Sequence, residues 1–340
     1  MLLSISEISD IFEKFNSLKA LVIGDVMVDS YLWGKVERIS PEAPVPIVVV
    51  NKRENRLGGA ANVALNLNSL GATTILCSVI GDEPNADLFV SLLGKQNLTT
   101  KGIVKNKNRI TTTKFRIIGN NAQMLRFDEE IESFLNEEDT LNFYTVINNL
   151  VESEKIDVII FEDYDKGIIT PLLIKKVVEL AEKKSIPIVA DPKRKNFNEY
   201  KNLSLFKPNL KELVEGIKLD ILPKNQKDFE NAVETFQLRN NIDMMMVTRS
   251  EAGVYISSKN KNSNVIDKRH NIAAHIRNIA DVSGAGDTVI SVASLCLALK
   301  LEPFIIASLS NLAGGLVCEE VGVVPVNKEK LIQETIDMMI

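Results

Sequence analysis

The sequence predicts an α/β protein with a mainly parallel central sheet covered on both faces by helices. Two observations predict it. Short, continuous apolar runs recur along the 340 residues and alternate with amphipathic segments of helical period, the pattern of a parallel sheet buried on both sides. Many of those runs end in Gly or Asp, and the carboxyl edge of such a sheet is where sites are built.

"KALVIGDVMVD" supplies the first strand, followed by "TTILCSVIGD", "DVIIFED", "IPIVADP", "LSLFKPN" and "DMMMVTRSEAG". Amphipathic helices are expected between them over residues 60–70, 86–96, 171–184 and 226–240. Two segments break this rhythm. "PVPIVVVNKRE" reads as a strand that follows the first without a crossover helix. "TTTKFRIIGNNAQMLRFDEE" alternates on both sides of Gly119-Asn120-Asn121, a hairpin signal. Strands from about residues 30–55 and 110–128 are therefore expected to form a small second sheet, either a lid over the site or a plain β extension.

Composition narrows the function classes. Apolar content of 45% and charged content of 25% are those of a soluble globular protein. A net charge of -5 argues against nucleic acid or an anionic membrane as partner. Cys77, Cys296 and Cys318 lie far apart in apolar surroundings, as buried hydrophobes in a reducing compartment do. His270 and His275 sit outside any Cys/His cluster, which excludes an ordinary zinc site. The opening "MLLSISEISDIF" has no basic n-region and carries acids, unlike a signal peptide. The most apolar stretches, 288–299 and 304–318, are split by Lys300, Glu302 and Pro303. Each is shorter than the roughly 18 residues of a membrane span, so two buried helices in a cytoplasmic protein are expected.

"ADVSGAGDTVIS" carries the sharpest signal. Gly284-Ala285-Gly286 open a long apolar helix, where successive N–H groups and the helix dipole make an anion-binding concavity. Asp287 beside it would repel an anion unless it has a task. In phosphoryl transfer it has one, accepting a proton from the attacking hydroxyl while the amides hold the phosphoryl oxygens. The plainer alternative, an acid in a first helical turn, stands equally on these residues alone.

The remaining motifs each carry two readings. In "RLGGAANVALNLNSLGA", Gly58-Gly59 precede a helix with Val63, Leu67 and Leu70 on one face, and Asn62 in its first turn could bond a polyol; a tight turn is the simpler reading. Asp25 and Asp29 of "GDVMVD", at and just beyond the first strand, are acceptors for sugar hydroxyls or ordinary loop acids. In "KPNLKE", Asn209 and Glu212 either face a metal–phosphate cluster, directly or through water, or form a capping box. Gly253 in "TRSEAG" permits close backbone approach to a nucleotide, though a turn alone explains it. No G-x-x-x-x-G-K-[ST] occurs, and the third glycine position of a dinucleotide fingerprint after Gly284 and Gly286 is Val289. P-loop kinases and dinucleotide enzymes are excluded.

In this order, "GGAANVALNLNSLGA" and "DVSGAGD" resemble the two signatures of the ribokinase-like, or phosphofructokinase-B, carbohydrate kinases, with "KPNLKE" at the family's Asn-x-x-Glu element. The resemblance covers nearly the whole chain and departs mildly at Val292, where Ala or Gly is usual. It implies a three-layer α/β sandwich over 1–340 with a small β lid, frequently a homodimer joined through that lid. Within the family, "GDVMVDSYLWGKVERISPEAPVPIV", "EDYDKG" and "ADPKR" are similar to the branch acting on heptose 7-phosphate. Members of that branch often continue into a nucleotidyltransferase with an H-x-G-H motif, which is absent here, so a separate adenylyltransferase is implied.

By residue, the resemblance implies Asp287 as base and Gly284, Ala285 and Gly286 as anion hole. It places ATP and Mg²⁺ at Asn209, Leu210, Lys211 and Glu212, the metal through water on Glu212, with Thr248, Gly253 and Asn311 as nucleotide contacts. Asp29, Gly58, Gly59 and Asn62 become sugar ligands, and a monovalent cation an open requirement. Arg38, Arg126 and Lys166 are candidates for the sugar's own phosphate, and Lys193 for either phosphate. The rival readings are a kinase of fructose 6-phosphate, ribose or a nucleoside, a non-catalytic sugar sensor, and a structural subunit.

Overall fold

The alternation of strand and helix is realised in the computed structural model, which describes residues 3–218, 225–260, 263–275 and 277–339. Its strands are β1 Lys19–Gly24, β2 Val26–Ile39, β3 Pro46–Gly59, β4 Thr73–Ile80, β5 Thr99–Lys105, β6 Thr113–Gly119 and β7 Ala122–Glu129. They continue as β8 Val158–Glu162, β9 Ile188–Asp191, β10 Leu205–Phe206, β11 Met244–Thr248, β12 Val254–Asn260 and β13 Val265–Ile272. Nine form one sheet in the order β13-β12-β11-β10-β9-β8-β1-β4-β5. From β11 across to β5 every pairing is parallel, while β12 and β13 add an antiparallel edge.

Strand side chains alternate between two apolar layers, as a pleated sheet requires. Val22, Ile160, Val189 and Met246 face the helices Ala60–Ser69, Ala285–Ala298 and Pro303–Val317. Leu21, Ile23, Phe161 and Val247 face Glu137–Ser153, Pro171–Lys184 and Gln226–Arg239 on the other side. Each fully buried side chain of this size contributes about 1.5–3 kcal/mol, so the two layers hold the strand ends rigidly. The apolar stretches 288–299 and 304–318 are the adjoining buried helices Ala285–Ala298 and Pro303–Val317. Among the described residues no helix is long and apolar enough to cross a membrane, and the three cysteines are free.

β3, β2, β6 and β7 form the small second sheet, with β2 and β6 parallel and the outer pairs antiparallel. The β6–β7 loop is Asn120-Asn121, both at positive φ (52° and 63°), as a two-residue hairpin turn demands. Two boundaries differ from the sequence reading. "KALVIGDVMVD" is two strands rather than one, because Asp25 interrupts the ladder: its carboxylate accepts the backbone N–H groups of Tyr164, Lys166 and Ile168 at 2.8, 3.1 and 3.1 Å. Asp29 thus lies inside a strand of the small sheet. Gly58-Gly59 end β3 instead of forming a separate turn.

Candidate active site

Three neighbouring parallel strands end at the same edge, two of them in acids: Gly24 of β1, just ahead of Asp25, pairs in register with Glu162 of β8, and Glu162 with Asp191 of β9. Onto this edge the helix Ala285–Ala298 brings its first turn. Gly284 caps it at φ 81°, a left-handed position that suits glycine; a Cβ there would lie 3.0 Å from Asn62 Nδ2. Asp287 is buried, and both its oxygens are held. Asn62 Nδ2 donates to Oδ2 at 2.6 Å, and the Tyr164 hydroxyl donates to Oδ1 at 2.7 Å. Burial pushes the Asp287 carboxyl above its ordinary range, while these two donors pull it back. A buried carboxylate held by two donors can still accept a third proton-bearing group, as a general base must.

The two glycine-rich segments meet here. Asn66 Nδ2 donates to the Asn62 carbonyl at 3.0 Å, and Thr288 Oγ1 donates to Asn66 Oδ1 at 3.0 Å, tying helix Ala60–Ser69 to Ala285–Ala298. Gly59, at φ 61°, would place a Cβ 2.4 Å from the Asp25 carbonyl. A Cβ on Gly58 would lie 2.5 Å from Asp29 Oδ2. Asp29 accepts from Arg116 Nη1 at 2.6 Å.

On the other flank, Asn209 and Glu212 form a reciprocal capping box, each side chain accepting the other's backbone N–H at 2.8 Å. Glu212 also accepts from Lys193 Nζ at 2.6 Å, so capping and a place in a charged cluster coexist. Leu210 and Lys211 are the first turn of that helix, with Lys211 exposed. Thr248 bridges to Asn209. Gly253 turns at φ 75° with no room for a Cβ, which would sit 2.0 Å from the Ile272 carbonyl. Asn311 donates to the Ala273 carbonyl at 2.8 Å.

The basic candidates divide. Lys166 is paired with Glu130 and Glu132 at 2.8 Å each, Arg126 with Asp128, and Lys193 with Glu212. Arg38 is exposed near the far end of β2, nine residues beyond Asp29, or roughly 30 Å along a strand. It is not brought to this edge.

Sequence reading did not single out Tyr164, Glu162, Asp191 or Lys207. For Glu162 and Asp191 the signal was the acid that ends each of two adjacent strands. Lys207, buried, pairs with Asp191 Oδ2 at 2.7 Å. Neither oxygen of buried Glu162 has a hydrogen-bond partner, nor has Asp191 Oδ1. Burial first, then Asp191 and Asp287, push Glu162 well above the ordinary carboxylate range. Stability tied to protonated Glu162 is therefore complete below the unfolded carboxylate value and lost as pH rises through the higher folded one. Glu162→Gln is expected to melt above wild type at pH 8, the gap closing in mild acid. Differential scanning calorimetry without nucleotide or divalent metal checks it. A groove of about 860 Å³ lies at the opposite ends of the strands, lined by Asp157, Lys184 and Lys268 among others; it holds none of this chemistry.

Comparison with known proteins gives this geometry its context. The pfkB family carbohydrate kinase model matches residues 17–330. The chain is 35% identical over 331 residues to the bifunctional protein HldE of Geotalea uraniireducens, covering 96% of this chain and 65% of that protein. It thus spans just under two thirds of that relative's length. Phosphofructokinase-2 from Escherichia coli, in complex with potassium, superposes with a TM-score of 0.76 at 17% identity, covering 95% of this chain and 98% of the other. Ribokinase from Arabidopsis thaliana, complexed with ribose and ATP, does so at 0.69 and 14% identity, covering 94% and 98%. The fold is ribokinase-like, and the chain belongs to the pfkB family of carbohydrate kinases, ATP-dependent sugar kinases.

Proposed function

We propose that the chain transfers the γ-phosphoryl group of ATP to O1 of D-glycero-β-D-manno-heptose 7-phosphate, giving the 1,7-bisphosphate on the way to ADP-heptose and lipopolysaccharide. The observation that carries the chemistry is Asp287, held by Asn62 and Tyr164 beside the Gly284–Gly286 turn. The likeness to HldE supports the choice of sugar.

In this reading Asp287 accepts the proton of the attacking hydroxyl. Asn62 and Tyr164 hold its carboxylate in place, so little reorganisation is needed at the moment of transfer. The N–H groups of the Gly284-Ala285-Gly286 turn hold the phosphoryl oxygens, and the long helix behind them favours that charge. Asp29, Gly58, Gly59 and Asn62 form the sugar's floor. Asn209 to Glu212, Thr248, Gly253 and Asn311 take the nucleotide.

The oxygens of Glu162, and Oδ1 of Asp191, have no hydrogen-bond partner and fit a hard cation that takes oxygen ligands. Among the described residues no group of three or more such ligands is arranged around one point, which suits Mg²⁺ held largely by water and phosphate. Asp191 and Glu212, the latter through water, would hold it, and its charge would offset that of the phosphates. A monovalent cation stays an open requirement, for which the potassium of the solved phosphofructokinase-2 is the precedent.

The small sheet acts as lid, and the exposed Ile39, Val49, Leu125 and Phe127 on it suit a homodimer joined through that sheet. The protein works in the cytoplasm, with an adenylyltransferase acting later on the same sugar. Incubation with Mg²⁺-ATP and the heptose phosphate is expected to yield a bisphosphate whose new ³¹P signal couples to the anomeric proton. A new phosphate on any other carbon would overturn the site of transfer.

A further inference from the structure

An irregular stretch joins two ends of the candidate site. Between β13 and the helix Ala285–Ala298, the described residues from 273 to 284 form neither helix nor strand. None of them belongs to either apolar layer, and Ile279 and Val282 are 68% and 65% exposed. Without a ladder or core of its own, such a stretch keeps its place only where other groups hold it. At its start the Ala273 carbonyl accepts from Asn311 Nδ2 at 2.8 Å. Towards its end the N–H groups of Ala280 and Asp281 donate to the Cys318 carbonyl at 2.8 and 3.2 Å, and Asp281 Oδ2 accepts the Gly322 N–H at 3.0 Å. The middle is held by the side chain of Arg277. Its Nη1 donates to Glu319 Oε1 at 2.7 Å, and its Nη2 to Glu334 Oε2. Glu334 stands on the last helix, Lys328–Met339, and Lys330 of the same helix pairs with Glu319 at 2.6 Å.

Ion pairs on an open surface hold little, but this one is covered: the Arg277 side chain is 10% exposed. It lies against the helix Pro303–Val317 at Gly315, where a Cβ would come within 3.0 Å of Nε. Gly315 is one turn beyond Asn311 on the same face of that helix. Nε itself is buried with no acceptor among the described residues. A buried donor left unpaired lowers stability, so the stability of the fold alone does not explain this placement. We propose that Arg277 is a positioning residue for the nucleotide. Clamped by Glu319 and Glu334, it fixes the 273–284 stretch and sets the Gly284–Gly286 turn at a constant distance from Asn311 before ATP arrives. Among the described residues no hydrogen bond or ion pair joins the Arg277 cluster to Asp29 or Asn62 on the acceptor's side. The inference rests on the kinase reading and deepens it, since Asn311 and the Gly284–Gly286 turn take the nucleotide in that reading.

Isothermal titration of the full chain with ADP, and separately with heptose 7-phosphate, tests it, alongside steady-state ADP release. If Arg277→Met leaves the stretch in place about a tenth of the time, the Kd for ADP and the KM for ATP rise about tenfold. Affinity for heptose 7-phosphate and Tm should stay close to wild type, because no residue of the apolar layers is disturbed. Arg277→Lys keeps the charge and one carboxylate, and should recover part of the loss. Glu334→Gln keeps the Glu319 pair and should weaken ADP by about threefold, adding little when combined with Arg277→Met because both act through one contact. ADP affinity unchanged in Arg277→Met would overturn the assignment, as would equal weakening of ADP and heptose 7-phosphate. Should Arg277→Met not fold, Glu334→Gln decides, and unchanged ADP affinity there overturns it. In these cases ADP release by wild type leaves the kinase reading standing. A wild-type chain that neither binds ADP nor releases it from ATP removes the kinase reading, and this inference with it.

Discussion

Asp287→Asn is expected to lower turnover by roughly 10³-fold, about 4 kcal/mol of transition-state stabilisation, while leaving ADP affinity within a few fold. The amide is nearly the same size and can keep the hydrogen bond from Tyr164 Oη, which reaches Oδ1 at 2.7 Å. What it cannot do is take the proton. The loss should therefore appear in kcat, with little change in KM for ATP. The raised position of the Asp287 carboxyl, caused by burial and offset by Asn62 and Tyr164, adds a pH signature. A base must be ionised, so the acid limb of the rate profile should fall above the ordinary carboxylate range. Tyr164→Phe removes one of the donors that lower it and should shift that limb further up. Stopped-time ADP assays from pH 5 to pH 9, buffered at about constant ionic strength, measure both.

Gly59→Ala is expected to damage the fold and the site together. At φ 61° with ψ -137° Gly59 occupies backbone space that is nearly closed to other residues. A Cβ would also meet the Asp25 carbonyl at 2.4 Å and the Met27 methyl at 2.9 Å. Asp25 cannot retreat, since its side chain fastens the 164–168 loop that positions Tyr164. Strain and overlap together should cost about 3 kcal/mol or more, lowering Tm by about 4 °C for a chain of this size. Displacement of the Asp25 loop should also loosen Tyr164 from Asp287. Gly94→Ala is a matched control, because nothing lies within 4 Å of its Cβ. A Gly59→Ala chain with wild-type Tm and turnover would contradict this reading of the turn.

The layers and the small sheet were legible because they depend on periodicity and turn chemistry. "IGNNAQ" specified the hairpin, and the apolar runs specified the sheet. The boundary after Gly24 was not legible, because what ends β1 is a hydrogen-bonded loop 139 to 143 residues away. Asp287 and its glycines were readable as a local motif. Tyr164 was not, since its role arises only when β8 lies beside β1 and the last helices fold back over them. The same holds for Glu162 and Asp191, whose sequence neighbours say nothing of strand register. The phosphate candidates show the limit most plainly. Charge alone pointed to Arg38, Lys166, Arg126 and Lys193; the fold pairs the last three with acids of its own and leaves Arg38 exposed far along β2.

The most direct test of the central claim is ADP release by the wild-type chain with Mg²⁺-ATP and four acceptors: heptose 7-phosphate, fructose 6-phosphate, ribose and adenosine. Strong release with heptose 7-phosphate alone, abolished in Asp287→Asn, is the expected result. Release with every acceptor at equal rate, or rates unchanged in Asp287→Asn, would contradict it.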